Sequence, residues 1–392
     1  MQLQQYSYFK GLHGLRFFAA FFVALAHAAS FVNNVSGPSI YDTSSYSFFS
    51  NGTVAVHFFF VLSGFLITNL LLNESDNTGN INIKNFYVRR ALRIWPLYYF
   101  VVLIVFAVFP LIAIITGIQF PVTGWGQFVF YMIMLPNVAS FLPGGSLLFP
   151  LWSIGVEEQF YFLVAPLIKY NRNRIRNILI TVIIIKIVLN LIALFFLKDR
   201  YRDIAYFIFD LHFEVICIGC LGALLIRSPY EKYLRWSFNY IFQFCMIALL
   251  IMILFFNKTI PEAHIPFFSK LYIFLFSREW SAVFTGCIFL YIILSVALNE
   301  RSVIKTNNKL LDTLGNISYG MYVYHVIVEL TVLNLFKNYF QGPKSIYATF
   351  IYYAASMLLT IVIAYCSYHL LEKQFLKLKY KFAPVHDEKM LS

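Results

Sequence analysis

The sequence predicts an all-α, polytopic integral membrane protein: a bundle of about ten transmembrane helices with both termini in the cytoplasm. Three observations predict it. Of 392 residues, 60% are hydrophobic and only 12% are charged, too little polar surface to cover a water-soluble globule. Apolar runs of about twenty residues, the length that crosses a hydrocarbon core as a helix, recur ten times along the chain. The basic residues are distributed unequally between alternate connections.

Taken in order, the spans fall at 11–32, 54–73, 94–116, 146–168, 177–197, 205–226, 236–256, 274–297, 313–336 and 347–371. An even number returns the chain to the side on which it began. With the N-terminus inside, twenty Lys and Arg residues lie on the inner side and eight on the outer, and the outer loops 33–53 and 117–145 hold none. The positive-inside rule therefore places both termini in the cytoplasm. The formal net charge of +12 is a topology signal, scattered over the inner segments and facing membrane lipid; a nucleic-acid partner would require it on one face with exposed aromatics. The first span is long and ends without a small-residue cleavage pattern, so it is expected to stay in the membrane.

One transmembrane domain is expected over 1–380, with a short basic cytoplasmic tail at 381–392. The loop at 117–145 contains FVFYMIML, too short to span but apolar enough to lie at the interface or dip back into it. All five cysteines, Cys217, Cys220, Cys245, Cys287 and Cys366, fall inside predicted spans. They imply neither a disulfide framework nor a metal centre; the Cys217–Cys220 pair lacks ligand partners at metal spacing and reads as small packing residues.

The polar residues inside the spans carry the functional signal. Arg16 and His27 are eleven residues apart in the first span, almost three whole turns, so they share a helix face about 16 Å apart along the axis. His27 then lies in the outer half of the bilayer. The second span descends with His57 near its outer end and Ser63 about 9 Å deeper. The fourth descends with Trp152, Glu157 and Glu158, and the ninth ascends with His325 near its middle. A charge at the bilayer centre costs about 3 kcal/mol, so several ionisable groups at one level predict a shared polar cavity. A single group such as Lys186 or His369 suits interhelical hydrogen bonding equally well.

On the inner side, NFYVRRALRIWP places Arg89, Arg90 and Arg93 at spacings of three and four, on one face of a short juxtamembrane helix. Trp95, preceding Pro96, is biased away from helical geometry, which predicts a break before the third span. Guanidinium groups suit multidentate phosphate binding, and equally anchor a helix to anionic headgroups. Phosphate-binding groups inside and a histidine cavity outside imply a phosphate-bearing donor whose reactive end is threaded outward.

These segments resemble the transmembrane acyltransferase family 3 over nearly the whole chain: Arg16 and His27 at the family's spacing, FFFVLSGFLI at 58–67, RRALRIWPLY at 89–98, LWSIGVEEQFYF at 151–162 and LGNISYGMYVYH at 314–325. The chain departs from the family at His13 and His57, where an acidic residue is common, and at Gln374, where the family tends to have proline. The resemblance implies an inner-membrane O-acyltransferase, with acetyl the expected group, acting on a surface polysaccharide, lipopolysaccharide or lipid-linked glycan. Acyl-coenzyme A is the implied donor substrate, and no permanently bound cofactor is expected.

The resemblance also implies His27 as the catalytic histidine. An imidazole of ordinary pKa about 6.5 suits a general base that takes a proton from a sugar hydroxyl. Glu157 would orient His27 or touch the acceptor, and Ser63 would donate a hydrogen bond to the developing oxyanion. Arg16, Arg89, Arg90 and Arg93 would hold the donor. His57, Trp152, Tyr319, His325 and Arg278 would line the cavity or meet the acceptor, with Asp210, His212 and Glu214 as further contacts. The competing reading is a transporter or flippase of a glycan or acyl compound, which would usually show internal repeats and broken helices; the sequence shows no such symmetry.

Overall fold

The computed structural model describes residues 9, 11–36, 52–117, 124–142, 146–197, 201–256, 278–340 and 346–382. Among them every regular element is a helix: α1 (Leu12–Ser36), α2 (Gly52–Thr78), α3 (Ile83–Leu103), a π turn at Ile104–Val108 leading into α4 (Phe109–Thr116), α5 (Trp125–Met132), α6 (Pro136–Ala139), a 3-10 turn at Phe149–Leu151, α7 (Trp152–Asn171), α8 (Ile175–Ile192), α9 (Arg202–Asp210), α10 (Phe213–Leu225), α11 (Glu231–Ser237), α12 (Tyr240–Phe256), α13 (Arg278–Leu298), α14 (Lys309–Asn316), α15 (Ser318–Phe340), α16 (Ile346–Ser367) and α17 (Lys373–Lys379). Residues 383–392 of the expected tail lie outside the described residues.

Among the described residues six stretches are long and apolar enough to cross a bilayer: Leu12–Val32, Gly52–Thr78, Ile83–Ile115, Ile175–Leu197, Arg202–Leu225 and Tyr347–Lys379. The pair α11 and α12, bent by 80°, is a seventh candidate. This is a multi-pass membrane protein. The runs read at 146–168, 274–297 and 313–336 form α7, α13 and α15.

Two local expectations are corrected. The chain does not break before Pro96: α3 runs from Ile83 through Pro96 to Leu103. Proline's fixed φ is compatible with a helix, and only the one bond to Leu92 is lost. Tertiary docking outweighs that loss. Leu97 and Tyr98 are fully buried, and the Tyr98 and Tyr99 hydroxyls donate to the carbonyls of Tyr131 (2.9 Å) and Met132 (3.0 Å) at the end of α5. The sixth span, read as continuous, is interrupted between α9 and α10 at His212, which adopts φ +42°. Left-handed backbone at a non-glycine residue is uncommon and persists where its surroundings hold it.

The central element is α2, which packs on α1, α7, α10 and α13. Its crossing with α10 depends on two glycines. A Cβ on Gly64 would collide with the Ile216 carbonyl, and one on Gly219 with the Val61 carbonyl, so the two backbones touch. Small residues permit such contact in a bilayer, where close van der Waals packing drives helix association.

Segments predicted to be cytoplasmic meet at one end of the bundle. Arg89, only 3% exposed, pairs with Glu74 (2.6 Å) and donates to the Phe382 carbonyl (2.7 Å). Glu74 also accepts from the backbone N–H of Asn82 (2.8 Å), closing the α2–α3 turn. Lys169 donates to the Ile81 carbonyl (2.8 Å), Arg172 pairs with Asp76, and Arg227 reaches Asn73. The Thr306 hydroxyl donates to the Gly11 carbonyl (2.8 Å).

Replacing Gly64 with leucine is expected to force α2 from α10 and lower stability by about 1–3 kcal/mol or more; a thermal melt of the detergent-solubilised protein measures it, and an unchanged midpoint refutes the contact. Arg89→Ala leaves Glu74 buried and unpaired, a loss of about 3–5 kcal/mol. The double variant Arg89→Met with Glu74→Met should recover most of that loss in the same melt.

Candidate functional site

Five helices enclose a cavity of about 120 Å³. From α1 comes Arg16; from α2 Phe59 and Ser63; from α3 Arg90 and Arg93; from α7 Ser153, Glu157 and Tyr161; from α15 Ser318, Tyr319 and Tyr322. Helical spacing explains the set. Arg90 and Arg93 are one turn apart, as are Ser153, Glu157 and Tyr161, so each helix offers a single stripe to the cavity. Among the described residues no carboxylate lies within ion-pair distance of Arg16, Arg90 or Arg93, and Arg90 Nε is buried without a hydrogen-bond partner. The Arg90 guanidinium rests 5.9 Å from the Tyr161 ring centroid.

Arg89 is separated from this set. Its neighbour in sequence turns about 100° away, and Arg89 is engaged by Glu74 and Phe382 instead of lining the cavity. The expected triplet is thus two cavity arginines and one fastener.

The two carboxylates of α7 diverge. Glu157 Oε2 accepts from the Tyr161 hydroxyl (2.8 Å), and Tyr161 Oη is hydrogen-bonded to Ser63 Oγ. With Glu157 ionised, the single Tyr161 proton goes to Glu157 and Ser63 donates to Tyr161. In that state Ser63 presents lone pairs to the cavity; with Glu157 protonated the order reverses, Tyr161 donates to Ser63, and the Ser63 hydroxyl can donate as the oxyanion role expects. Glu158 instead accepts from the Trp95 indole (3.3 Å).

His27 lies beyond the Tyr322 end of the cavity. Its ring faces His325 (centroids 5.2 Å) and meets Phe149 edge to face (5.0 Å). The group placed against His27 is thus His325, and Glu157 sits deeper with Tyr161. The His325 Nδ1 donates to the Tyr322 carbonyl (2.6 Å), which makes Nε2 of a neutral ring the acceptor nitrogen. That Nε2 is buried without a partner among the described residues. Between the His27–His325 pair and the cavity stands Tyr322, three residues before His325, its hydroxyl 2.7 Å from both the Pro150 carbonyl and Ser153 Oγ. Tyr319, one turn further in, donates to the Ile94 carbonyl (2.8 Å) and belongs to the arginine-lined wall.

His57 is elsewhere, in a second buried cluster between α2, α8, α10 and α13. Its Nδ1 is 3.0 Å from Thr285 Oγ1, and its ring packs on His212 (4.7 Å). His212 Nδ1 is 3.3 Å from Glu214, whose other oxygen is 3.7 Å from Lys186 Nζ; Lys186 donates to Asn190 (2.6 Å). Trp152 adjoins this cluster through His212 (5.9 Å). It also lines a second cavity of about 300 Å³, with Asn137, Ser140, Phe149, Tyr206 and Asp210. The side chain of Arg278 lies outside the described residues. No group of three or more metal-ligating side chains occurs among the described residues.

Tyr161, Ser153 and Tyr322 were not singled out by the sequence. Their signal was helical register: Tyr161 stands four residues after Glu157, Ser153 four before it, and Tyr322 three before His325.

A family model described as an acyltransferase domain matches residues 9–369. The O-acetyltransferase OatA of Staphylococcus aureus strain NCTC 8325 / PS 47 is 27% identical over 395 residues, covering 95% of this chain and 58% of the relative. OatA of Staphylococcus aureus strain COL matches to the same extent. The chain therefore spans somewhat over half the length of these relatives. No solved structure shows a significant match. Matched along nearly its whole length, with a stripe of arginines and a histidine pair converging from helices far apart in sequence, the chain belongs to the acyltransferase 3 family.

Proposed function

We propose that the protein is an O-acyltransferase of the cytoplasmic (inner) membrane, with ten spans and both termini inside. It moves an acyl group, acetyl in the first instance, from cytoplasmic acyl-coenzyme A to a hydroxyl of an extracytoplasmic polysaccharide or lipid-linked sugar. One observation carries the reading: three guanidinium groups, without an ion pair among the described residues, converge on one cavity inside a membrane bundle. Arginine inside a bilayer costs about 2.5–3.5 kcal/mol even on insertion scales. An anionic ligand offsets that cost, and a guanidinium meets phosphate in bidentate fashion. The name of the OatA relatives supports acetyl transfer to oxygen.

In this reading Arg90 and Arg93 grip the donor's phosphates at the cytoplasmic mouth, and Arg16 steadies the pantetheine arm as it runs outward. Arg89 serves by fixing α3 to α2. The thioester reaches His27 once the Tyr322 ring turns aside from Pro150 and Ser153. His27 takes the proton of the acceptor hydroxyl as its oxygen attacks the thioester carbonyl. The tetrahedral adduct collapses, the C–S bond breaks, and the imidazolium returns the proton to the departing thiolate. His325 positions His27 by ring contact, the two centroids 5.2 Å apart. Direct transfer is favoured over an acyl-serine route, because Ser63 sits in a chain with Tyr161 and Glu157, with no imidazole among its hydrogen-bond partners in the described residues.

Supplying labelled acetyl-coenzyme A to the protein in vesicles should transfer label to glycan; a transporter or flippase would move material without forming an ester. His27→Ala is expected to lower the rate at least 10²-fold while donor binding survives, and retained turnover would falsify the assignment. Arg90→Ala and Arg93→Ala should each raise the donor KM about ten- to a hundredfold with little change in kcat, the loss of one charge-assisted contact worth about 1.5–3 kcal/mol. A fall in kcat at unaltered KM would instead place these arginines at the reacting group.

A further inference from the structure

We propose that Lys379, at the end of α17, is a further cation of the donor site, and that it takes the phosphomonoester that coenzyme A carries besides its diphosphate. This role rests on the acyl-coenzyme A reading and makes the C-terminal segment part of the site.

Helical register is the first support. The chain enters α17 through a π turn at Tyr368–Glu372. Glu372, Phe375, Leu376 and Lys379 recur at spacings of three and four and are buried or half-buried, whereas Lys373, Lys377 and Lys381 are exposed. Register thus sorts the lysines by face. The exposed three suit anionic headgroups; Lys379 is turned inward with the packing residues.

Direction is the second. The segment packs on α3, and it is anchored on both sides of Lys379. Before α17, Glu372 accepts from Ser367 Oγ (3.4 Å), which in turn accepts from the Tyr324 hydroxyl (3.0 Å). A Cβ on Gly320 would fall 3.4 Å from Glu372 Oε1, so this carboxyl is seated closely against α15, and its charge acts on Arg93. After α17, the Phe382 carbonyl accepts from Arg89 (2.7 Å). Arg93 opposite the first anchor and Arg89 opposite the last make α17 antiparallel to α3. Lys379, three residues before Phe382, is therefore on the Arg89 side of Arg93, at the mouth of the arginine cavity.

Charge is the third. Lys379 interacts electrostatically with Arg93, Arg90, Arg89 and Arg16, all of its own sign. Among the described residues no carboxylate lies within ion-pair distance of it. Glu74 compensates Arg89; the mutual repulsion of the other cations is offset when one polyanion spans them. The course of the donor sets the order of its groups. With the thioester directed toward His27 and the diphosphate on Arg90 and Arg93, the nucleotide end comes last, beside α17. The charged group at that end is a ribose phosphomonoester, and a monoester of this kind carries about −1.5 to −2 charges at pH 7. Lysine, a compact point charge on a flexible stem, suits such a terminal phosphate.

The test titrates coenzyme A and 3′-dephospho-coenzyme A into the full chain in nanodiscs by calorimetry, which needs no acceptor. The wild type should hold coenzyme A about ten- to a hundredfold more tightly than the dephospho form, the value of one charge-assisted contact. Lys379→Ala should lose that preference by weakening coenzyme A alone, Lys379→Arg should keep most of it, and Lys377→Ala, on the exposed face, should match the wild type for both ligands. Undiminished binding of the dephospho form by Lys379→Ala shows that the variant is folded. The assignment is overturned if Lys379→Ala keeps the preference, or if it weakens both forms alike. A wild type that binds both forms equally removes the role of Lys379 and leaves the donor reading standing; one that binds neither removes both.

Discussion

Charge inside a hydrocarbon solvent is the constraint to which the rest of this molecule answers. Arg16, Arg90 and Arg93 cannot face lipid, and among the described residues they are not neutralised by carboxylates in contact. The stable arrangement encloses them in protein around a space that an anion can enter. Five helices supply that enclosure, each through the residues of one face. The polar stripe of α7 runs from Ser153 through Glu157 to Tyr161, and α15 adds Ser318, Tyr319 and Tyr322.

The surrounding bundle is held by contacts that tolerate no slack. The glycine crossing of α2 and α10 brings two backbones together, so the depth of Ser63 relative to the second cluster is fixed by geometry and not by side-chain choice. At the opposite extreme, the Arg89–Glu74 pair and the Phe382 carbonyl tie the start of α3 to the end of α2 and to the chain's last described turn. A buried pair of this kind contributes register more than net stability. Here the register it sets is that of Arg90 and Arg93, the next residue and the next turn.

Two cavities result, one lined by Arg16, Arg90 and Arg93 together with Glu157, the other by Trp152, Tyr206 and Asp210, with the Phe149–Trp152 turn beside both. The histidine pair occupies the border. His325, tethered to its own helix through Nδ1, presents its second nitrogen in a region otherwise walled by Phe149, Tyr322 and Phe59.

Composition and periodicity sufficed for the all-helical, multi-pass character of the chain, because hydrocarbon solvent admits few alternatives to a self-satisfied helix. They also sufficed to mark Arg16, His27, Arg90, Arg93 and Glu157, since an ionisable residue in an apolar run has few structural uses. Which of these groups meet was beyond the sequence. Arg89 and Arg90 are adjacent in the chain, yet one is a buried fastener and the other a cavity wall, a distinction made by the 100° turn between them and by where α2 ends. Pro96 reads as a helix boundary, and docking of Tyr98 and Tyr99 on α5 keeps the helix whole. His57 and His27 look alike in sequence, but they lie in separate clusters because α2 leans on α10 while α1 leans on α15. Helix faces are legible one chain segment at a time; their partners are chosen by close packing between segments far apart in sequence, and only the assembled bundle specifies that choice.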